Sequence, residues 1–115
     1  MSETDLLNRH CVEYPKGTPT LTPAAVERYL PLVPGWEVVE EGKTLRLTRR
    51  CEDFIAAMDL VNKVAAVAEE EQHHPDIRVY SYRRLALDLS THSIGGLSDN
   101  DFIMAAKINR LLPSA

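Results

Sequence analysis

The fold of this chain is decided by one stretch, residues 53–90, which reads DFIAAMDLVNKVAAVAEEEQHHPDIRVYSYRRLALDLS. In its first half, apolar residues recur every three or four positions, which is the period of an α-helix with one buried face. This pattern predicts a helix from Asp53 to about His73. The apolar side chains expected on its inner face are Phe54, Met58, Val61, Val64, Ala65 and Ala68.

The second half of the stretch changes to a period of two, which is the period of a β-strand. Pro75 marks the change, because a proline disfavours helical dihedrals at the residue before it. Ile77 and Val79 then alternate with polar residues, and a further strand places leucines at positions 85, 87 and 89. We therefore expect two paired strands after the helix, with the leucine face turned toward the core.

Outward from this stretch, the sequence predicts two more helices and a second strand pair. Thr22-Pro23 is typical of a helix start, with a hydroxyl N-cap and a proline at the first helical position, and this helix runs to about Leu30. Residues 36–40 and 44–49 are predicted to be strands. A last helix is expected from about residue 99 to residue 111, because Ser98-x-x-Asp101 fits a capping box.

The order helix, two strands, helix, two strands, helix predicts an α+β fold. Four such strands form a mainly antiparallel sheet, with the helices packed on its apolar face. The length of 115 residues fits a single domain, which we assign to residues 21–115. Residues 1–20 are assigned to an N-terminal arm, because Pro15, Gly17 and Pro19 interrupt any periodicity there.

Composition excludes several classes of function. A net charge of -4 gives no electrostatic reason to expect nucleic acid as a direct partner. Cys11 and Cys51 are too few for a disulfide framework, so reduced thiols in a cytoplasmic protein are expected. The N-terminus lacks the basic and apolar regions of a signal peptide, and no apolar run is long enough to span a bilayer, so no membrane partner is expected.

The neighbouring histidines His73-His74, directly before Pro75, are the strongest indication of chemistry. An unperturbed imidazole titrates near neutral pH, so each ring can give or take a proton. The acidic run 69–71 comes just before them, although carboxylates are unfavourable at a helix C-terminus, which suggests that at least one is retained for another reason. A solvated acidic helix end followed by surface histidines would give the same pattern, and the sequence leaves both interpretations open.

Two further residues are candidates for the same site. His92 follows the predicted fourth strand and shares its polar face with Asp88 and Ser90; a histidine hydrogen-bonded to the following glycine loop is the alternative. Asp101 has a capping role that a functional role could accompany. These side chains are of the types that bind zinc or iron, but the HExxH and CxxC spacings of such sites are absent, so we expect no metal.

Taken together, these residues resemble the pterin-4a-carbinolamine dehydratase family. The family pattern has an acidic residue four positions before a histidine, a His-His-Pro run, an aromatic residue shortly after, and then a histidine and an aspartate. In this chain that order is followed, at fitting spacing, by Glu69, His73-His74-Pro75, Tyr82, His92 and Asp101. The likeness covers about residues 20–112 and includes the strand with Trp36 and the run from Thr91 to Leu97. Ser93 departs from the acidic residue that many relatives carry after this histidine.

The resemblance implies a hydro-lyase, a 4a-hydroxytetrahydrobiopterin dehydratase, that converts a 4a-hydroxytetrahydropterin to the quinonoid dihydropterin without a metal or organic cofactor. Such an enzyme would support tetrahydrobiopterin recycling after aromatic amino acid hydroxylases. The resemblance also implies a homo-oligomer, a dimer or a tetramer, built through sheet edges and helices.

The resemblance further implies a role for each site residue. The catalytic set is His73, His74 and His92, in which His73 and His92 act as acid and base and His74 mainly positions the pterin. Pro75 and Thr91 join His74 as substrate-binding residues, and Glu69 and Asp101 orient or bias the imidazole rings.

Two alternative functions remain open from the sequence. The same fold could be a non-catalytic protein-binding module, since animal relatives also serve as dimerisation cofactors of a transcription factor. It could also act on pterins of molybdenum-cofactor metabolism. A binder without activity would have no need of three histidines and Asp101 in this arrangement, which favours catalysis.

Overall fold

The chain forms its helices and strands in the predicted order, preceded by one short helix in the arm. The structure, a computed structural model, describes residues 2–113. The elements are α1 (Glu3–Leu7), α2 (Pro23–Tyr29), β1 (Trp36–Val39), β2 (Thr44–Arg50), α3 (Phe54–Glu71), β3 (Asp76–Tyr80), β4 (Arg84–Leu89) and α4 (Asp99–Asn109). Short 3₁₀ turns at Leu30–Leu32 and His92–Ile94 follow α2 and β4. Met1, Ser114 and Ala115, at the ends of the predicted arm and domain, lie outside the described residues.

The four strands form one sheet in the order β1-β2-β4-β3, and each neighbouring pair is antiparallel. Leu45 lies opposite Leu89 and Leu47 opposite Leu87, so the leucines of the two central strands share one face. These side chains are buried and belong to the same apolar core as the buried residues of α3 and α4. The predicted α+β fold, an antiparallel sheet with packed helices, is confirmed.

Helix α3 is present as predicted, but its buried face is rotated from the predicted one. The residues that it buries are Ala57, Leu60, Val64, Ala68 and Glu71. Phe54, which we expected to be inside, is 48% exposed, and Ala65 is exposed as well. Small and apolar residues occupy two adjacent stripes of this helix, so periodicity alone could not select between them. Among residues 2–113, no helix is both long enough and apolar enough to cross a membrane.

The C-terminal end of α3 separates two side chains that the site uses. The helix ends at Glu71, two residues earlier than predicted, because Gln72 adopts the left-handed conformation with φ 52° and ψ 42°. The Gln72 amide still donates to the Ala68 carbonyl. Beyond this reversal, His73 contacts α4 through Asp101, whereas Glu71 contacts the arm.

The arm is ordered and takes part in the core. Helix α1 begins with a capping box formed by Ser2 and Asp5 and packs against α4. Leu6 is fully buried in the apolar core, and Arg9 pairs with Asp99 at 2.8 Å. A helix of five residues is too short to show a periodic pattern, which is why the sequence did not reveal it.

A buried carboxylate attaches the arm to the helices. The Glu71 side chain is 2% exposed and accepts hydrogen bonds from the Cys11 amide at 2.7 Å, from His10 Nδ1 at 2.8 Å and from Lys107 Nζ at 2.8 Å. Burial by itself raises the pKa of Glu71. The bonds from Lys107, the Cys11 amide and His10 outweigh that effect and lower the pKa to about 2.

Leu6→Ala is expected to destabilise the protein far more than Leu7→Ala. Leu6 is fully buried, and truncating a buried leucine costs about 2 to 5 kcal/mol of unfolding free energy, including the cavity that remains. Leu7 is the matched control, because it neighbours Leu6 in the same helix but is only partly buried. Urea unfolding measures both variants. Equal losses would contradict the placement of Leu6 in the core.

Glu71→Gln is expected to lose more stability at neutral pH than in acid. Because the pKa of folded Glu71 lies below its ordinary value of 4.5, the charged group contributes stability above about pH 4.5. That contribution disappears as the pH falls toward about 2. A shift of this size corresponds to about 3 kcal/mol. The difference in unfolding free energy between wild type and variant, measured by urea unfolding along this pH range, should therefore shrink.

Glu70→Gln is the matched control for this pH dependence. Glu70 carries the same charge one residue earlier, but it is exposed and makes no side-chain hydrogen bond or ion pair to residues 2–113. The difference between wild type and this variant should stay small and flat with pH. A flat difference for Glu71→Gln as well would contradict the assigned role of the buried carboxylate.

Candidate active site

The candidate site is organised around Asp101, a fully buried carboxylate in the first turn of α4. Its Oδ2 atom accepts from the Ser98 amide at 3.0 Å, which completes the predicted capping box, and from the Thr91 hydroxyl at 2.9 Å. Its Oδ1 atom lies 2.7 Å from Nε2 of His73. One carboxylate therefore joins the end of β4, the start of α4 and the loop after α3. The capping role and a second contact coexist, as the sequence allowed.

The pairing with Asp101 assigns a proton to one nitrogen of His73. Because a carboxylate accepts hydrogen bonds, Nε2 is the nitrogen that carries hydrogen and donates. Nδ1 makes no hydrogen bond to residues 2–113. No buried side-chain nitrogen or oxygen in the described part of the chain lacks a partner, so Nδ1 is open to solvent. His73 thus offers an accessible ring nitrogen, although its side chain is only 11% exposed.

The three histidines predicted for the site line one cleft of about 710 Å³. His73 and His74 reach it from the loop after α3, and His92 reaches it from the 3₁₀ turn after β4. The other residues of the lining are Glu71, Gln72, Ser90, Thr91, Ser93, Asn100 and the arm residues 11–15.

Glu69 contacts a different histidine from the one that we expected. The sequence placed it one helical turn before His73, but α3 ends at Glu71 and the spacing of the helix does not continue to residue 73. The Glu69 carboxylate instead lies 2.5 Å from Nε2 of His74. Both of these side chains are largely exposed, so this pair lies at the outside of the site, unlike the largely buried pair of His73 and Asp101.

The remaining predicted residues differ in how they relate to the cleft. Thr91 lines it, but its hydroxyl is already engaged, donating to Asp101 and lying 2.6 Å from the Ser98 hydroxyl. Since the Thr91 proton goes to Asp101, the Ser98 hydroxyl is the donor in the second bond. Pro75 is not part of the lining, and Tyr82 is 60% exposed in the turn between β3 and β4.

Sequence reasoning missed the contribution of the arm to the cleft. Cys11 through Pro15 line it, and Asn100 holds this segment by pairing with the backbone of Val12. The acidic run 69–71 was the one available signal: Glu71 is buried beneath the arm, and Glu69 contacts a histidine. Burial, reinforced by the Glu71 charge, raises the pKa of the Cys11 thiol to about 12. Cys11 is therefore protonated near neutral pH and is not a thiolate nucleophile.

Within residues 2–113, no three His, Cys, Asp or Glu side chains are placed to hold one metal ion together. The buried carboxylate at the site binds an imidazole, a hydroxyl and an amide. This set of partners suits the orientation of an imidazole and the exchange of protons with a bound ligand.

Comparison with known proteins supplies the family. The model of the family described as pterin 4 alpha carbinolamine dehydratase matches residues 19–111. A protein of Xanthomonas oryzae pv. oryzae named for pterin-4-alpha-carbinolamine dehydratase is 43% identical over 111 residues, which cover 94% of this chain and 93% of the relative. A protein of the same name from Rubrobacter xylanophilus is 42% identical over 108 residues, with coverage of 94% and 99%.

Solved structures agree with this result. The crystal structure of a transcriptional coactivator/pterin dehydratase from Brucella melitensis superposes with a TM-score of 0.76 at 29% identity, covering 81% of this chain and 98% of that one. A pterin dehydratase-like protein identified as a RuBisCO assembly factor in the alpha-carboxysome shares the fold, with a TM-score of 0.59 at 18% identity and coverage of 70% and 93%. The resemblance seen in the sequence motif is confirmed, and the chain belongs to the pterin-4a-carbinolamine dehydratase family.

Proposed function

We propose that this protein removes water from a 4a-hydroxytetrahydropterin to give the quinonoid dihydropterin, by proton transfer through histidines. The observation that carries the proposal is the pairing of His73 with the buried carboxylate of Asp101, in a cleft that His74 and His92 also line. Membership of the family supports the class of substrate.

The reaction requires one acid and one base. Loss of water breaks the C4a–O bond, removes the proton from N5 and forms a C4a=N5 double bond, with no change in oxidation state. Hydroxide is a poor leaving group, so an acid must protonate the departing oxygen while a base takes the N5 proton. A positioned acid or base contributes about 10²- to 10⁴-fold to the rate.

His73 is suited to the role of base. Its Nε2–H is directed to Asp101, so the open Nδ1 is the atom that can accept the N5 proton. The imidazolium formed in this step would lie 2.7 Å from a carboxylate, which stabilises its charge. The carboxylate also fixes the tautomer and the orientation of the ring before the substrate arrives.

His92 is suited to the role of acid, and His74 to positioning. His92 is exposed, and its ring makes no hydrogen bond to residues 2–113, so it can regain a proton from water between turnovers. His74 is oriented by Glu69 and offers the pterin a polar contact beside His73. Thr91 would act through its bond to Asp101, and Pro75 would fix the backbone after the two histidines.

The wider setting is proposed from what the resemblance to the family implies. Proton transfers of this kind require no metal or organic cofactor, and the partner is the pterin itself. We assign the protein to the cytoplasm and to tetrahydrobiopterin recycling. We also propose a homodimer or homotetramer, in which the free edges of β1 and β3 and exposed helix faces would supply contacts.

The alternative functions are separated from this one by direct assay. A protein-binding module of the same fold would show no turnover with a carbinolamine pterin. Activity confined to pterins of molybdenum-cofactor metabolism would appear as turnover with those pterins and none with 4a-hydroxytetrahydrobiopterin.

Replacement of His73 or His92 by alanine is expected to lower kcat for dehydration. Each change removes one proton-transfer group, and the expected loss is about 10²- to 10⁴-fold. The rate is measured as formation of the quinonoid dihydropterin, corrected for the uncatalysed reaction. Thermal unfolding of each variant confirms that the fold is retained. Full turnover by both folded variants would refute the assignment of acid and base.

Asp101→Asn is expected to lower kcat while leaving KM nearly unchanged. The amide keeps the size of the side chain but no longer fixes the His73 tautomer or stabilises its imidazolium, so the loss acts in the transition state. Asp99→Asn is the matched control, because it removes a carboxylate from the same helix turn, one that contacts Arg9 and Tyr29 instead of a histidine. The control should retain kcat. Equal losses in the two variants would refute the special role of Asp101.

A further inference from the structure

We propose that the arm segment Val12–Tyr14 is a wall of the substrate site that sets how tightly the pterin binds, and that Glu71 and Asn100 are the positioning residues of this wall. The inference rests on the proposed dehydratase function. It also goes beyond that function, because the family model begins at residue 19, after the arm.

The arm contributes a continuous part of the cleft. Residues 11–15 line it together with the loop that carries His73 and His74 and with residues 90–93 after β4. Val12 is 58% exposed, so its side chain projects from the protein at the cleft, unlike the fully buried Leu6 that anchors the same arm. A ligand that fills this cleft beside His73 would therefore also touch the arm.

Two buried polar side chains hold the start of this wall and the residue before it. Glu71 accepts from the Cys11 amide at 2.7 Å. Asn100, which is 3% exposed, accepts from the Val12 amide at 3.0 Å and donates to the Val12 carbonyl at 2.6 Å. Because a buried polar group without a partner is strongly disfavoured, these bonds hold residues 11 and 12 in one position.

Beyond Val12, the backbone of the wall is free to bind a ligand. The amides and carbonyls of Glu13 and Tyr14 make no hydrogen bond to residues 2–113. The pyrimidine edge of a pterin presents a carbonyl acceptor, an N–H donor and an amino donor side by side. Unpaired backbone donors and acceptors are complementary to such an edge.

The wall and the catalytic ring are held by adjacent residues of α4. Asn100 pairs with Val12, and Asp101 pairs with His73. Because both side chains lie in the first turn of one helix, the distance between the arm and the ring that exchanges protons is fixed by a single rigid element. A pterin held by the arm would therefore be held in a defined position relative to His73.

The first test is the kinetic effect of Val12→Trp. The indole would narrow the cleft at the wall, and we expect KM for the carbinolamine pterin to rise about ten-fold with kcat nearly unchanged, which is the signature of lost binding. Val12→Thr is the conservative variant, because threonine keeps the shape of the side chain. Its KM should stay much closer to that of wild type than the KM of Val12→Trp. An unchanged KM in Val12→Trp, or a loss in kcat alone, would overturn the proposal.

Glu3→Ala is the matched control within the arm. Glu3 pairs with Arg110 at 3.5 Å and does not line the cleft, so its loss perturbs the arm far from the wall. KM should not change in this variant. An equal rise in KM would mean that the arm acts through general stability and would overturn the proposal.

The second test uses the wild-type protein and an unreactive 7,8-dihydropterin. Binding is expected to shift the NMR signals of the Glu13 and Tyr14 amides and to leave those of Glu3 to Leu7 unchanged. If His73 responds to the probe and the two amides do not, the role of the arm is overturned while the proposed function stands. If the wild type neither binds the probe nor dehydrates the substrate, both are overturned.

Discussion

The structure of this site depends on one buried carboxylate with three donors. Asp101 accepts hydrogen bonds from a backbone amide, a hydroxyl and an imidazole, and each donor comes from a different part of the chain. A buried carboxylate without such partners would be strongly disfavoured, so its burial requires that all three segments arrive together. The same bonds that stabilise the fold at this point determine which nitrogen of His73 faces the cleft.

A second buried carboxylate, that of Glu71, holds the arm against the helices by accepting hydrogen bonds from both. Glu71 lies two residues before His73, and its donors are the arm and Lys107 of α4. The two sides of the cleft are thus fixed through carboxylates that lie in or against α4. This helix carries almost no solvent-exposed side chain along its first two turns. Its N-terminal turn is the common support for the loop that carries His73, through Asp101, and for the arm, through Asn100.

The sequence was sufficient for the fold, and the three histidines that it singled out line one cleft, but it was insufficient for the arm. Alternating leucines and the break at Pro75 are local signals, and each corresponds to one element of the structure. The sequence also contained the capping box of Ser98 and Asp101 in full. Helix α1 and the pairing of Val12 with Asn100 could not be predicted, since no local pattern reports a contact between residues 88 positions apart.

Short-range assumptions explain the remaining differences. The partner of Glu69 was assigned on the assumption that α3 continued to His73. Because the helix ends earlier, the Glu69 carboxylate contacts His74 instead. The buried face of α3 was assigned from apolar spacing, which two neighbouring stripes satisfied almost equally. In both cases the deciding information lies in tertiary contacts. The positions of the sheet and of α4 determine which face of α3 is buried and where α3 ends.

The left-handed backbone at Gln72 has a consequence for which residues that position can accept. This conformation costs an ordinary L-residue on the order of 1–2 kcal/mol, and a β-branched residue tolerates it worst. Glycine or asparagine should therefore be admissible there, and valine, isoleucine or threonine should not. Since the reversal lies between Glu71, which contacts the arm, and His73, which contacts Asp101, the backbone at Gln72 keeps these two contacts apart.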